Sequence, residues 1–196
     1  MEYLGTVLTA TAKNGHELNR RLGMAKADFN TLSKIWTHSS LTWRGKLRVF
    51  KAVVESKLLY SLSSICLTVA DTRRLDGFQN RCVRKILGIK PAFVSRVSNK
   101  VVLEKAGCQA MSDVLKGRRL QHLGKIFRQP PSHPLRQACF IGDSMQLATN
   151  RFIRRVGRPS KEWMTDACAD ACRIFGSLET AKHHAHDRAT FNRLVT

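Results

Sequence analysis

Acidic residues are scarce in this sequence of 196 residues: 14 Asp and Glu stand against 34 Lys and Arg, for a formal net charge of +20 at pH 7. Such a polycation attracts polyanions, so nucleic acid is the first candidate partner. The excess lies upstream, because residues 1–128 hold 24 of the basic residues and 8 of the acidic ones. With 43% apolar residues the chain still has enough core material to fold, which excludes a wholly disordered tail.

Long apolar segments are also lacking. The longest apolar run, residues 58–70, covers only 13 positions and is interrupted by hydroxyl side chains, whereas a membrane-spanning helix needs about 20 apolar residues. The N-terminus has neither a basic start nor an apolar signal segment, so we expect an intracellular protein with no membrane partner. Its six cysteines are then expected to be reduced, and most of them to serve as small core residues.

Sequence motifs typical of catalytic sites are missing as well. The sequence has no adjacent pair of aspartates, no Gly-x-Ser-x-Gly elbow and no glycine-rich phosphate loop. Glu162, Asp166 and Asp170 recur every four residues on one predicted helix face, but a two-metal site needs carboxylates that converge from several sides. We expect an exposed face that balances Arg158 and Lys161, and we assign no catalytic residue.

Cys168 and Cys172, followed by His183, His184 and His186, are of the residue types that bind zinc. Their spacing differs from that of zinc fingers, because ten residues separate Cys172 from His183 and only two separate His183 from His186. Partly buried cysteines and solvated histidines are the expectation, so no metal and no cofactor are assigned.

Apolar residues at helical spacing predict a mainly α protein. A capping box at Asn14 and Glu17 opens a predicted helix of about 22 residues that ends near Trp36. A second helix, from about Leu41 to Ser61, is apolar on two sides and is expected to be central.

The third predicted helix has one apolar face, expected to pack in the core, and one basic face. Asp71 or Thr72 is expected to cap its start and Gly88 its end, with an apolar stripe between them. Its other face is basic, and counterions would be released when such a face meets phosphates. The expected nucleic-acid contacts on this helix and the preceding one are Arg73, Arg74, Arg81, Arg84 and Lys85, with Lys46, Lys51 and Lys57.

Prolines at residues 129–134 cannot continue a helix, so this segment is the expected linker. We therefore expect a helical bundle over residues 14–128 and a smaller helical region over residues 135–196. In the latter, a turn at residues 157–160 leads into a helix that carries Trp163, and a last helix covers Glu179 to Leu194.

Seven short motifs are spread over nearly the whole chain. They are Tyr3-Leu4-Gly5, Lys46-Leu47-Arg48-Val49-Phe50, Leu58-Leu59-Tyr60, Leu75 to Gly88, Arg118-Arg119-Leu120 with Leu123-Gly124, Gly157-Arg158-Pro159 with Trp163, and Asp187 to Val195. In their residues and in their order, these motifs resemble the region that follows the polymerase palm in reverse transcriptases of non-LTR, LINE-type retrotransposons. Among the departures, Ser61 stands where the family has glycine and Phe191 where it has tryptophan.

The resemblance implies a remnant of a palm-edge strand at residues 1–13 and a thumb-like bundle at residues 14–128. In the family the metal-binding aspartates precede Tyr-Leu-Gly, so the resemblance implies a non-catalytic fragment that binds an RNA or DNA template-primer duplex without sequence specificity. Two alternatives stay open. One is a subunit of a split reverse transcriptase that needs a separate palm-containing chain, and the other is a gene relic without function.

Overall fold

The computed structural model describes residues 2–3, 5–7, 15–38, 40–148 and 162–195. Over these ranges the protein is mainly α-helical, which confirms the fold class that the apolar spacing predicts. Within the same ranges, no helix has the length and apolarity needed to cross a membrane. The chain divides into two compact units, Met1–Leu115 and Lys116–Thr196.

This division differs from the expected proline break at residues 129–134. It falls inside a helix, because Met111 and Leu115 belong to the apolar core of the first unit, whereas Leu120 belongs to that of the second. The proline segment therefore lies within the second unit. Prolines end a helix, but the clustering of apolar side chains decides where a compact unit ends.

The N-terminal residues form a small hairpin instead of a single edge strand. Strands β1 (Glu2–Tyr3) and β2 (Thr6–Val7) pair antiparallel around Gly5, whose positive φ of 70° suits glycine. The Gly5 carbonyl accepts hydrogen bonds from the guanidinium groups of both Arg20 and Arg21. The rest of the predicted strand region, residues 8–13, lies outside the described residues, as does the predicted N-cap at position 14.

Helices build the rest of the first unit. The predicted second helix is one continuous rod, in which α3 passes through the π-helical segment Phe50–Glu55 into α4. A short 3₁₀ turn, Leu62–Ser64, follows it. The helices are α1 (Gly15–Thr31), α2 (Ser33–Thr37), α3 (Trp43–Val49), α4 (Ser56–Leu59), α5 (Val69–Leu87), α6 (Ala92–Ser95) and α7 (Asn99–Ala106), and α8 (Met111–Phe127) then crosses into the second unit.

The first predicted helix is interrupted at Leu32, which separates α1 from α2. The Trp36 indole N–H donates a 2.7 Å hydrogen bond to the Phe29 carbonyl, and the two rings stack with centroids 4.9 Å apart. Because Trp36 turns back onto α1, the end of the apolar seam packs against its own helix.

Helix α5 has the predicted end but a different start. Its N-cap is Thr68, whose Oγ1 accepts from the Asp71 backbone N–H at 3.1 Å, while the Asp71 carboxylate accepts from the Thr68 N–H. The prediction of Asp71 or Thr72 as N-cap is therefore wrong by three or four residues. Gly88 ends the helix with a φ of +67°, as predicted.

In its described residues the second unit contains the later part of α8 and four more helices. The predicted helix that carries Trp163 is present and begins at that residue. The predicted last helix is two helices, because the Asp187 carboxylate accepts the N–H groups of Ala189 and Thr190 and starts a new one. Residues 149–161, with the predicted turn, lie outside the described residues. The helices are α9 (Pro134–Cys139), α10 (Trp163–Phe175), α11 (Leu178–His186) and α12 (Arg188–Val195).

Candidate nucleic-acid interface

A groove of about 480 Å³ between α1 and α5 collects exposed positive charge in the first unit. We call it the cationic groove, and none of the described residues that line it is acidic. Four cations and two glycines contribute to it, together with Leu22 and Phe78 at its apolar base. The cations are Lys26 of α1 with Arg73, Arg74 and Arg81 of α5, and the glycines are Gly23 of α1 and Gly77 of α5.

Two of the positions that line the groove are glycines in helix interiors. A Cβ added to Gly23 would meet nothing within 4 Å, and one added to Gly77 would meet only the end of the Arg81 side chain, at 3.8 Å. Glycine inside a helix costs about 1 kcal/mol relative to alanine. The surrounding structure leaves room for a Cβ at either position, so neither glycine is required by close packing and neither adds side-chain bulk to the groove.

Arg73 and Arg81 are the most available of the predicted contacts. Both side chains are exposed, and neither has an ion-pair partner among the described residues. They lie eight residues apart, or about 12 Å along the helix axis. Two exposed guanidinium groups at this separation are available to external anions.

Arg74 and Lys85 also lie on the exposed side of α5, but each has a contact within the protein. Arg74 Nη1 lies 3.7 Å from the Asp71 carboxylate, and its Nη2 donates to Asn19 Oδ1 at 2.6 Å. Lys85 lies outside the residues that line the groove, with its Nζ 5.6 Å from the centre of the Phe29 ring. Both contacts are at the surface and hold the side chains loosely.

Arg84 is not available, which corrects the predicted interface. Its side chain is buried, with 6% of the residue exposed, and its donors reach the carbonyls of Lys90 (3.0 Å) and Val97 (2.6 Å). It also donates two bonds to Asn99 Oδ1, at 2.9 and 3.2 Å. The loop after α5 folds over this part of the helix, so Arg84 supports the fold and does not face solvent.

The three predicted lysines before α5 are only partly available. Lys46 is half-buried and donates to the Trp36 carbonyl at 2.9 Å, so it holds α2 against α3. Lys57 forms a 2.9 Å ion pair with Asp28. Lys51 is exposed beside Cys108, whose thiol pKa is raised by burial and lowered in part by this lysine. None of the three lines the cationic groove.

Lys26 is a site residue that the sequence analysis missed. It lies on α1, outside the apolar seam that the helical spacing singles out, and it is exposed. The sequence contained one signal, Gly23 in the middle of a helix, but only the pairing of α1 with α5 shows that this glycine lines the same groove as Gly77.

Burial affects the pKa of Cys82 more than the neighbouring positive charges of α5 do. The pKa of the Cys82 thiol is raised to about 12 because the group is desolvated, although the neighbouring Arg81 and Lys85 favour its thiolate. Cys82 is therefore a protonated core residue. Cys168 is the other buried cysteine and the remaining four are only partly buried, so the expectation of mostly core cysteines holds for two of the six.

The carboxylates at positions 166 and 170 face an arginine of the second unit. Arg119 Nη1 lies 3.8 Å from Asp166 and 3.9 Å from Asp170, and Arg173 pairs with Asp170 at 3.0 Å. Charge balance is thus supplied by these arginines, whereas the expected partners at positions 158 and 161 lie outside the described residues.

The candidate zinc ligands stay apart in the described part of the chain, where no three His, Cys, Asp or Glu side chains come together to hold a metal ion. Cys168 is buried, and burial raises the pKa of its thiol to about 12. The His184 ring instead packs beside Phe175, with centroids 5.5 Å apart.

No protein family, curated protein or solved structure matches this chain. The likeness to non-LTR reverse transcriptases therefore rests on the short sequence motifs and their order. The function has to be inferred from the charge and the geometry of the cationic groove.

Proposed function

We propose that this chain binds nucleic acid without sequence specificity, through the cationic groove and the exposed face of α5. The single observation that carries the proposal is the groove itself, where four cations surround an opening with no acidic residue among its described lining. With a net charge of +20 the surrounding surface adds attraction for a polyanion.

The chemistry of the groove favours backbone contact over base reading. Arginine binds a phosphate through two parallel hydrogen bonds from its guanidinium group, and lysine binds it as a point charge. Contacts to phosphates carry no sequence information of their own. The described lining offers no Asn, Gln or acidic side chain that could read base edges. A phosphodiester backbone, in RNA or DNA, is therefore the proposed ligand.

The motifs support a specific origin for this activity: a non-catalytic fragment of a non-LTR reverse transcriptase that retains the duplex-gripping thumb. The sequence contains no adjacent aspartates. Mixed with a primer-template, deoxynucleotides and Mg²⁺, the chain is expected to leave the primer unextended. Primer extension by the purified chain would contradict this part of the proposal.

A binding titration tests the activity directly. Fluorescein-labelled DNA, RNA and hybrid duplexes of several unrelated sequences are titrated with the chain, and anisotropy is recorded from about 50 to about 200 mM salt. We expect similar affinities across sequences and a steep, parallel weakening with salt. Absence of binding, or binding that salt leaves unchanged, would contradict the proposal.

A further inference from the structure

The segment that follows α5 presents an aromatic side chain to solvent. Phe93, on α6, has 78% of its surface exposed, more than any other large apolar residue among those described. Its neighbour Val94 is 50% exposed, and α6 buries none of its four residues. The Phe93 ring is therefore not part of the apolar core of the first unit.

The loop beneath Phe93 is held firmly from the inside. Arg84 donates to the carbonyls of Lys90 and Val97 on either side of α6 and to the Ser95 hydroxyl. Arg96 ends α6 with a φ of +56°, a left-handed conformation that is unfavourable for a residue other than glycine. A strained, well-supported loop that exposes an aromatic ring is typical of a contact surface.

All charged residues that flank Phe93 in the sequence are positive. Residues 77–103 contain no Asp or Glu, and Lys90, Arg96 and Lys100 are all exposed beside the ring in the chain. An apolar ring flanked by positive charge complements a nucleobase attached to a phosphate backbone. An apolar protein partner would not need three exposed cations along the same segment of chain.

We propose that Phe93 stacks on an unpaired base of the nucleic acid that the chain binds, while Lys90, Arg96 and Lys100 hold the adjoining phosphates. This inference rests on the proposed function and extends it, because it gives the chain a preference for a duplex with a single-stranded extension over a blunt duplex. Stacking tolerates any base, so the preference does not depend on sequence.

The test compares two matched ligands: a blunt duplex and the same duplex with an unpaired extension. We expect Phe93→Ala to weaken binding to the extended duplex about tenfold and to leave binding to the blunt duplex unchanged. Phe93→Tyr keeps a flat ring and should restore the preference. Phe93→Leu keeps an apolar side chain without a π-face and should not.

A second measurement reports stacking itself. Phe93→Trp adds a fluorophore at the proposed site, and its emission should be quenched by the extended duplex and not by the blunt one, with the unmodified chain as the background control. Binding of both ligands with no effect of Phe93→Ala would overturn this inference and leave the proposed function standing. Failure of the unmodified chain to bind either ligand would overturn both.

One further outcome would assign the ring to a protein contact. If the chain self-associates and Phe93→Ala abolishes the association while both duplexes still bind as before, the ring covers a second copy of the chain. That result would overturn the stacking proposal.

Discussion

The Arg84 guanidinium donates two hydrogen bonds to the side-chain oxygen of Asn99, at 2.9 Å from Nη2 and 3.2 Å from Nε. This pair fastens the start of α7 to the C-terminal part of α5. The loop between them is held by the same guanidinium through backbone carbonyls. Arg84 is thus an internal support for the surface that carries Phe93.

Replacing Arg84 is expected to affect stability far more than replacing Arg81. Arg84→Ala removes a buried side chain and leaves several partly buried acceptors without this donor, which should lower the free energy of unfolding by about 1–3 kcal/mol. Arg81→Ala removes an exposed side chain and should change it by less than about 0.5 kcal/mol. Urea denaturation followed by circular dichroism measures both. Equal stability of the two variants would show that the Arg84 network contributes nothing.

Ser61 has a left-handed backbone, with a φ of 61°, a conformation that only glycine adopts at little cost. Its hydroxyl is also buried without a hydrogen-bond partner. Ser61→Gly should therefore stabilise the protein by about 1 kcal/mol and raise its Tm by about 2–4 °C. Ser61→Ala is the matched control, since it removes the hydroxyl and keeps the backbone cost. A glycine variant no more stable than the alanine variant would contradict this explanation.

Gly124 lies against the ring of Phe191 in the core of the second unit. A Cβ at position 124 would be 2.7 Å from Phe191 Cε1, and the ring is fully buried and stacked on Phe175 with centroids 5.2 Å apart. Gly124→Ala should destabilise the protein by about 1–3 kcal/mol. Phe191→Leu shortens the opposing side chain, so the alanine should cost less in that background. Additive effects in the double-mutant cycle would show that the two residues do not meet.

Burial of Cys82 makes stability depend on pH in the alkaline range. Its thiol pKa is raised from 9.0 to about 12, so the folded state holds a proton that the unfolded state releases. This contribution is complete below pH 9.0 and is lost as the pH rises towards 12. Urea denaturation of the unmodified chain and of Cys82→Ala at pH 8 and pH 10 should show a smaller alkaline loss in the variant. Equal losses would mean that Cys82 does not contribute.

The sequence predicted the elements of the fold better than their ends. Apolar spacing located α5, and glycine at position 88 marked its C-terminus. The start was missed because Thr68 and Asp71 form a reciprocal cap three residues apart, inside a run of apolar residues that obscures it. The place where the two cores separate depends on which side chains cluster, and one-dimensional spacing does not contain that information.

The candidate site was predicted only in part, and the reason is similar. Arg73 and Arg84 are eleven residues apart, so they differ by only about 20° around the helix axis and look equivalent on a helical projection. The projection cannot show that a loop from further along the chain covers Arg84 and leaves Arg73 exposed. Lys26 was missed because it joins the site only through the packing of α1 on α5.

The central claim is that the cationic groove binds the nucleic-acid backbone. Removing two groove cations, as in Arg73→Gln with Arg81→Gln, should weaken binding to duplexes of every sequence and reduce the slope of log affinity against log salt by about 2. The matched control is Lys34→Gln with Arg48→Gln, which removes two exposed positive charges that do not line the groove.

Anisotropy titrations of these two double variants beside the unmodified chain, with one labelled duplex at several salt concentrations, are the most direct test. We predict at least about a tenfold loss of affinity for the groove variant and a clearly smaller loss for the control. Equal losses in the two variants would mean that binding depends on net charge alone, and the groove would have no special role.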